Sequence, residues 1–255
     1  MFDSAMGAKR LIVLAAAMLA LGVAATGFAA RPHTAASIVL GKTVNYPSSG
    51  CPATKGCEVV ARVTGIQMVA DGADHPFRVP SNGQLVSWWL KLPQLRDTQL
   101  RSFSGLFGGN PAARISVLRR GKRGRVRLVR QGQTEQLREH LDGKGRTRFR
   151  LAAPLRVKEG DYIGLTAVTW IPAFAVGLDA QANSWLASRP KGRCSTPSSQ
   201  SPEKFAAYYK TNDAHLDSST VRHYRCLYRT ARLLYWARII PDVTTPPAGG
   251  GGGTP

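Results

Sequence analysis

Residues 155–165 read LRVKEGDYIGL, two apolar runs around a four-residue polar corner, Lys158-Glu159-Gly160-Asp161. Leu155 and Val157 face one way in an extended chain, and Arg156 and Lys158 face the other. Beyond the corner Ile163 and Leu165 return to the apolar side. Gly160 supplies backbone freedom for a tight reversal, and Asp161 can accept hydrogen bonds from turn amides. The stretch is therefore read as strand, turn, strand. An earlier segment, FRVPSNGQLV at 77–86, echoes it: an apolar-Arg-Val step, a turn with glycine, then an apolar strand. Two such corners far apart in the chain predict an all-β fold. The expected form is a two-sheet antiparallel β-sandwich of jelly-roll type, with a closed barrel as the alternative.

The remaining runs agree with that class. EVVARVTGIQMV (58–69) and YIGLTAVTW (162–170) read as strands. ARISVLRR (113–120) and RVRLVRQ (125–131) flank a Gly121–Gly124 tip and predict a hairpin. RTRFRL (146–151) puts Thr147, Phe149 and Leu151 on one face and Arg146, Arg148 and Arg150 on the other. QLVSWWLKL (84–92) is apolar on both faces by strict alternation, with Leu85 and Trp89 opposite Val86, Trp88 and Leu90. Such a strand sits centrally or beneath a cover. TARLLYWARII (230–240) closes the series. One helix is expected, over SPEKFAAYYK (201–210), with Ser201 as N-cap and Pro202 in the first turn.

The termini differ from this body. Lys9 and Arg10 precede the small apolar run LIVLAAAMLALGVAATGFAA, and Gly27-Phe28-Ala29 fits a small-x-small cleavage rule. Residues 1–29 are read as a secretory signal, with an uncleaved membrane anchor as the alternative. An N-terminal extension at 30–56, a β-sandwich domain at 57–241 and a flexible Pro/Gly tail at 242–255 complete the expected organisation. Export makes the four cysteines disulfide partners. Cys51 with Cys57, and Cys194 with Cys226, are the favoured pairs among three pairings, because each lies within one region. The second would staple the loop that carries the expected helix. Paired zinc knuckles need a different spacing.

The charge is the strongest compositional feature: 35 Lys and Arg against 15 Asp and Glu, a formal net charge of +20. Losing residues 1–29 would remove only Lys9, Arg10 and Asp3. A surface this basic associates with polyanions through salt-sensitive attraction. The density is highest in RRGKRGRVRLVR (119–130), with Arg119, Arg120, Lys122, Arg123, Arg125, Arg127 and Arg130. The first six of these are the candidates for holding an acidic glycan or cell-wall polymer; a merely solvated hairpin is the plainer reading. Aromatic residues are not interleaved there, so specific nucleic-acid recognition is not expected. Trp170 and Trp185 are the candidates for stacking on a sugar, although most Trp in a sandwich is core.

Catalytic patterns are sparse. No G-x-S-x-G elbow, H-E-x-x-H helix or phosphate-cradling glycine loop occurs. The weak metal reading of His215, His223, Asp213 and Asp217, and of DGADH at 71–75, lacks a ligand pattern. No cofactor or metal is expected, and membrane contact only through an uncleaved N-terminal segment. If the chain were a polysaccharide hydrolase or lyase, Glu159, Asp161 and Asp179 would be its first carboxylates to test.

FRVPSNGQLVSWWL, ARISVLRR, PLRVKEGDYIGL and RLLYWARIIPD, in that order, resemble a group of exported proteins of soil actinobacteria with no established activity. The resemblance covers residues 60–240 and implies a β-sandwich and export. It brings no catalytic residues. The function expected is that of a secreted or cell-envelope binding protein for a glycan or anionic polymer. A polysaccharide-acting enzyme and a structural envelope protein are the alternatives.

Overall fold

The computed structural model describes residues 36–51, 57–194, 208 and 211–243. The expected signal segment and almost all of the expected 201–210 helix and Gly-rich tail lie outside them. The described chain is mostly strand. In order it forms β1 (Ile38–Leu40), β2 (Val60–Ala70), β3 (Ala73–Asp74), β4 (Gly83–Gln94), α1 (Asp97–Phe107), β5 (Ala112–Arg120), β6 (Arg125–Gln131), β7 (Glu135–Gln136) and β8 (Asp142–Val157). Then come β9 (Tyr162–Ile171), β10 (Phe174–Val176), β11 (Asn183–Ala187), β12 (Val221–His223), β13 (Cys226–Arg229), β14 (Ala231–Leu233) and β15 (Tyr235–Pro241).

A smaller sheet runs β1-β15-β4-β8, and a larger one runs β12-β6-β5-β9-β2-β11-β13, with β3 beside β2 and β7 beside β5. Every pairing between these strands is antiparallel, and β10 pairs with β14. The larger sheet curls into a half-barrel. One core joins the two sheets. Trp88 and Leu90 of β4, Phe149 of β8 and Tyr235 and Ile239 of β15 meet Ile115 and Val117 of β5 and Ile163 and Leu165 of β9. Each fully buried Leu or Ile here contributes roughly 1.5–3 kcal/mol. A second cluster, Ile66, Leu118, Val126, Leu128, Tyr162 and Tyr224, covers part of the other face of the larger sheet. The predicted hairpin is β5–β6. β1, inside the segment read as an extension, pairs with β15.

The two echoing corners meet. Phe77 O accepts from Ile163 N at 3.0 Å, Val79 N donates to Asp161 O at 2.8 Å, and Gly160 N donates to Val79 O at 2.9 Å. Asn82 Oδ1 accepts from Glu159 N at 3.0 Å. At one corner the chain leaves residues 77–79, beside β9, for β4 in the smaller sheet. At the other it leaves β8 of the smaller sheet for β9. The similar sequences are thus two sheet-switching points bonded to each other.

Two expectations are corrected. β4 is central, between β15 and β8, but its faces divide differently: a register irregularity between Leu85 and Ser87 shifts its phase, so Leu85 joins Trp88 and Leu90 in the core and Trp89 lies on the other face. And the described helix is α1, where none was expected. Its Leu100, Phe103 and Phe107 recur at helical spacing and close on Ala61 and Trp170. Gly108, in the left-handed region at φ 75, ends it, and Arg62 Nε and Nη2 donate to the Phe107 carbonyl.

Both favoured disulfides are present, Cys51–Cys57 and Cys194–Cys226. Two such bonds fit an oxidising compartment.

Candidate anion-binding site

The tip of β5–β6 builds the site. Alternation along β6 sends Val126 and Leu128 into the second core and leaves Arg125 and Arg127 exposed. β5 ends with Arg119 and Arg120 exposed, and a short 3-10 turn, Lys122–Gly124, joins the strands. Arg123 in that turn lies in the left-handed region at φ 57, a conformation that costs a non-glycine residue about 1–2 kcal/mol. β12 pairs with β6 and sets His223 opposite Arg125. Together these elements surround an open cleft of about 570 Å3, and all six hairpin cations proposed from the sequence, Arg119, Arg120, Lys122, Arg123, Arg125 and Arg127, line it. Arg130 does not.

The six are not equivalent. Arg119 Nε and Nη2 donate to Asp161 Oδ1 and Oδ2 at 2.7 and 3.0 Å. Those hydrogen bonds hold the Arg119 guanidinium above its ordinary range. Asp161, 1% exposed, also accepts from Lys158 N at 3.0 Å. The polar corner at 158–161 is therefore a turn whose one buried carboxylate anchors the base of the cleft. Arg120 lies over the Tyr162 ring, 5.4 Å from its centroid, and Arg127 Nη1 donates to Ser219 O at 2.7 Å. Among the described residues, Arg120, Lys122, Arg123, Arg125 and Arg127 have no ion pair. Five like charges in one concavity repel each other and favour a multivalent anion.

The other proposed site residues lie elsewhere. Trp170 is fully buried; its Nε1 donates to Gly109 O at 2.9 Å and its ring packs on Phe103. The helix that the sequence reading missed covers it. Trp185 is buried too, stacked on Tyr228 with ring centroids 4.7 Å apart. Neither offers a ring face to a sugar, which corrects the stacking expectation. Asp179 Oδ1 closes a local turn by accepting from Gln181 N and Ala182 N. Asp71 is bound by Asn45 through backbone and side chain. His215 is fully buried, its ring nitrogens 3.3 Å from Tyr224 Oη and 2.9 Å from Thr220 Oγ1. Burial, with the Arg222 charge, lowers its pKa to about 4. Asp213 faces Arg193, Nη1 to Oδ1 at 2.8 Å, and Arg189 at 3.7 Å. Among the described residues no three His, Cys, Asp or Glu side chains gather as a metal site.

Strand pairing sets Trp89, Trp236 and Tyr46 among arginines on the outer face of the smaller sheet. No protein family, curated protein or solved structure matches the chain. The site is accordingly read from this chain's own residues.

Proposed function

We propose that this protein is an exported, non-catalytic binding protein of the cell envelope that holds an anionic polymer, an acidic glycan or wall polymer, in the β5–β6 cleft. The observation that carries the reading is the set of five exposed, unpaired cations around one concavity. Two disulfides support export. The buried acid nearest the cleft is spent on Arg119, which supports binding over acid–base chemistry. The antiparallel sheets on a shared core, joined by two sheet-switching corners, support a jelly-roll-type sandwich. Retention of the full chain on an immobilised acidic polysaccharide tests the proposal. Retention is expected to fall steeply with salt, and the variant R120S/K122S/R125S/R127S is expected to elute at much lower salt than the parent. Equal retention of parent and variant would overturn it.

A further inference from the structure

A second cationic surface lies on the smaller sheet, away from the hairpin. Strand alternation sends Trp88, Leu90, Phe149, Tyr235 and Ala237 inward. The intervening residues lie on the other face: Ser87, Trp89 and Lys91 of β4; Arg146, Arg148 and Arg150 of β8; Trp236 and Arg238 of β15, with Ser87 and Trp236 themselves buried among their neighbours. Register brings them together. Trp89 sits between Trp236 and Arg148, Lys91 opposite Arg146, and Ser87 between Arg238 and Arg150.

The guanidinium carbons of Arg148 and Arg238 lie 5.3 and 5.4 Å from the Trp89 ring centroid. That of Arg146 lies 4.9 Å from Trp236 and 5.2 Å from Tyr46. Cation–π contact and strand pairing hold these forks in place, so less side-chain freedom is lost when an anion binds. Among the described residues, Lys91, Arg146, Arg148, Arg150 and Arg238 form no ion pair. Trp236 Nε1 and Arg238 Nε are buried donors without a partner. The face has donors and positive charge in excess, and what it lacks is acceptors.

We propose that this face binds an extended phosphodiester polymer of the polyol-phosphate type. Arg146, Arg148 and Arg150 recur every second residue along β8, a spacing of roughly 6.6–6.8 Å. Two residues of extended chain contain six backbone bonds. A glycerol-phosphate repeat also has six, so successive phosphates of an extended chain fall about 7 Å apart and meet successive arginines in step. Guanidinium forks suit phosphate oxygens geometrically as well as by charge. A single-stranded nucleic acid shares the backbone spacing but gains its affinity by stacking bases on open aromatic faces. Here guanidinium groups lie over the Trp89 and Trp236 rings, which favours a polymer without bases. The inference does not rest on the hairpin reading.

The test uses the full chain with both disulfides intact and three probes: poly(glycerol phosphate), monomeric glycerol phosphate, and oligothymidylate of equal charge. Calorimetry is expected to show binding of poly(glycerol phosphate), with the monomer and oligothymidylate much weaker. R146S/R148S/R150S is expected to weaken it roughly tenfold or more, and R101S/R138S/R229S, which removes as many exposed charges outside both the face and the hairpin cleft, to leave it nearly unchanged. The Arg→Lys triple keeps charge but not the forks and is expected to fall between; all positions changed are exposed, and a melting curve checks each variant. Equal loss from the face variant and the R101S/R138S/R229S control would reduce the effect to net charge and overturn the proposal. So would tighter binding of oligothymidylate, or no binding of poly(glycerol phosphate).

Discussion

Replacing Asp161 with Asn tests the corner and the cleft together. The Asp161 side chain is 2% exposed and that of Arg119 is 45% exposed. The carboxylate accepts three hydrogen bonds, at 2.7 and 3.0 Å from Arg119 and 3.0 Å from Lys158 N. An amide keeps one acceptor and turns an NH2 group toward the guanidinium, donor against donor. Hydrogen bonds to charged groups contribute about 1.5–3 kcal/mol each. Arg119 is half in water and rehydrates when released, so the full sum is not lost. The net cost is therefore about 2–3 kcal/mol, and for a domain of this size melting should fall by roughly 4–12 °C. Differential scanning calorimetry at pH 7, disulfides intact, reads it. The same substitution frees a sixth cation in the cleft, so elution from an acidic polysaccharide should move to higher salt. R119M/D161N should recover part of the stability and none of the added retention. A melting point within about 1 °C of the parent would refute the anchoring role, and a loss of retention in a folded D161N protein would refute the charge argument.

Other outcomes follow from the same structure. The neutral His215 binds its proton only near pH 4, whereas the unfolded chain does so near the ordinary value of about 6.5. As pH falls through that window the unfolded state takes up the proton first, so stability declines by roughly 3 kcal/mol; urea midpoints at pH 7 and 4.5 should show this slope, flattened in H215Q. Removing Cys194–Cys226, which spans 32 positions, should cost roughly 3–4 kcal/mol. Removing Cys51–Cys57, which spans 6, should cost nearer 2 kcal/mol in the same urea titration. In Gly83→Ala the new Cβ would sit 2.4 Å from Ile240 O and 2.9 Å from Pro241 Cα. The backbone of β15 must then shift, and a loss of about 1–3 kcal/mol or more should appear in the same assay.

Much of this fold was legible along the chain because the signals are local. Alternation in RTRFRL separated the arginines from Phe149 and Leu151 correctly, since a strand's side-chain period needs no partner to define it. Turn chemistry marked both corners and the hairpin, and short separations favoured the right disulfides. Helix α1 was also marked, by Leu100, Phe103 and Phe107, but its polar composition and unusual Arg96 N-cap hid the period.

What no window of sequence contains is who lies across the sheet. The irregularity at Leu85–Ser87 is defined only against β8 and β15, and it moves Leu85 to the face that holds Trp88 and Leu90. Asp161 reads as a turn residue until pairing brings Arg119, 42 positions away, to its carboxylate. Trp170 reads as a candidate platform for a sugar until α1 folds over it. Trp89, Arg148 and Arg238 become one surface only when three strands align. The sequence by itself determined the class of structure, its turns, its crosslinks and its charge, because each depends on neighbours in the chain. The tertiary structure decided which charges stay unpaired and which aromatic rings are covered, because burial and ion pairing depend on distances across the sheet.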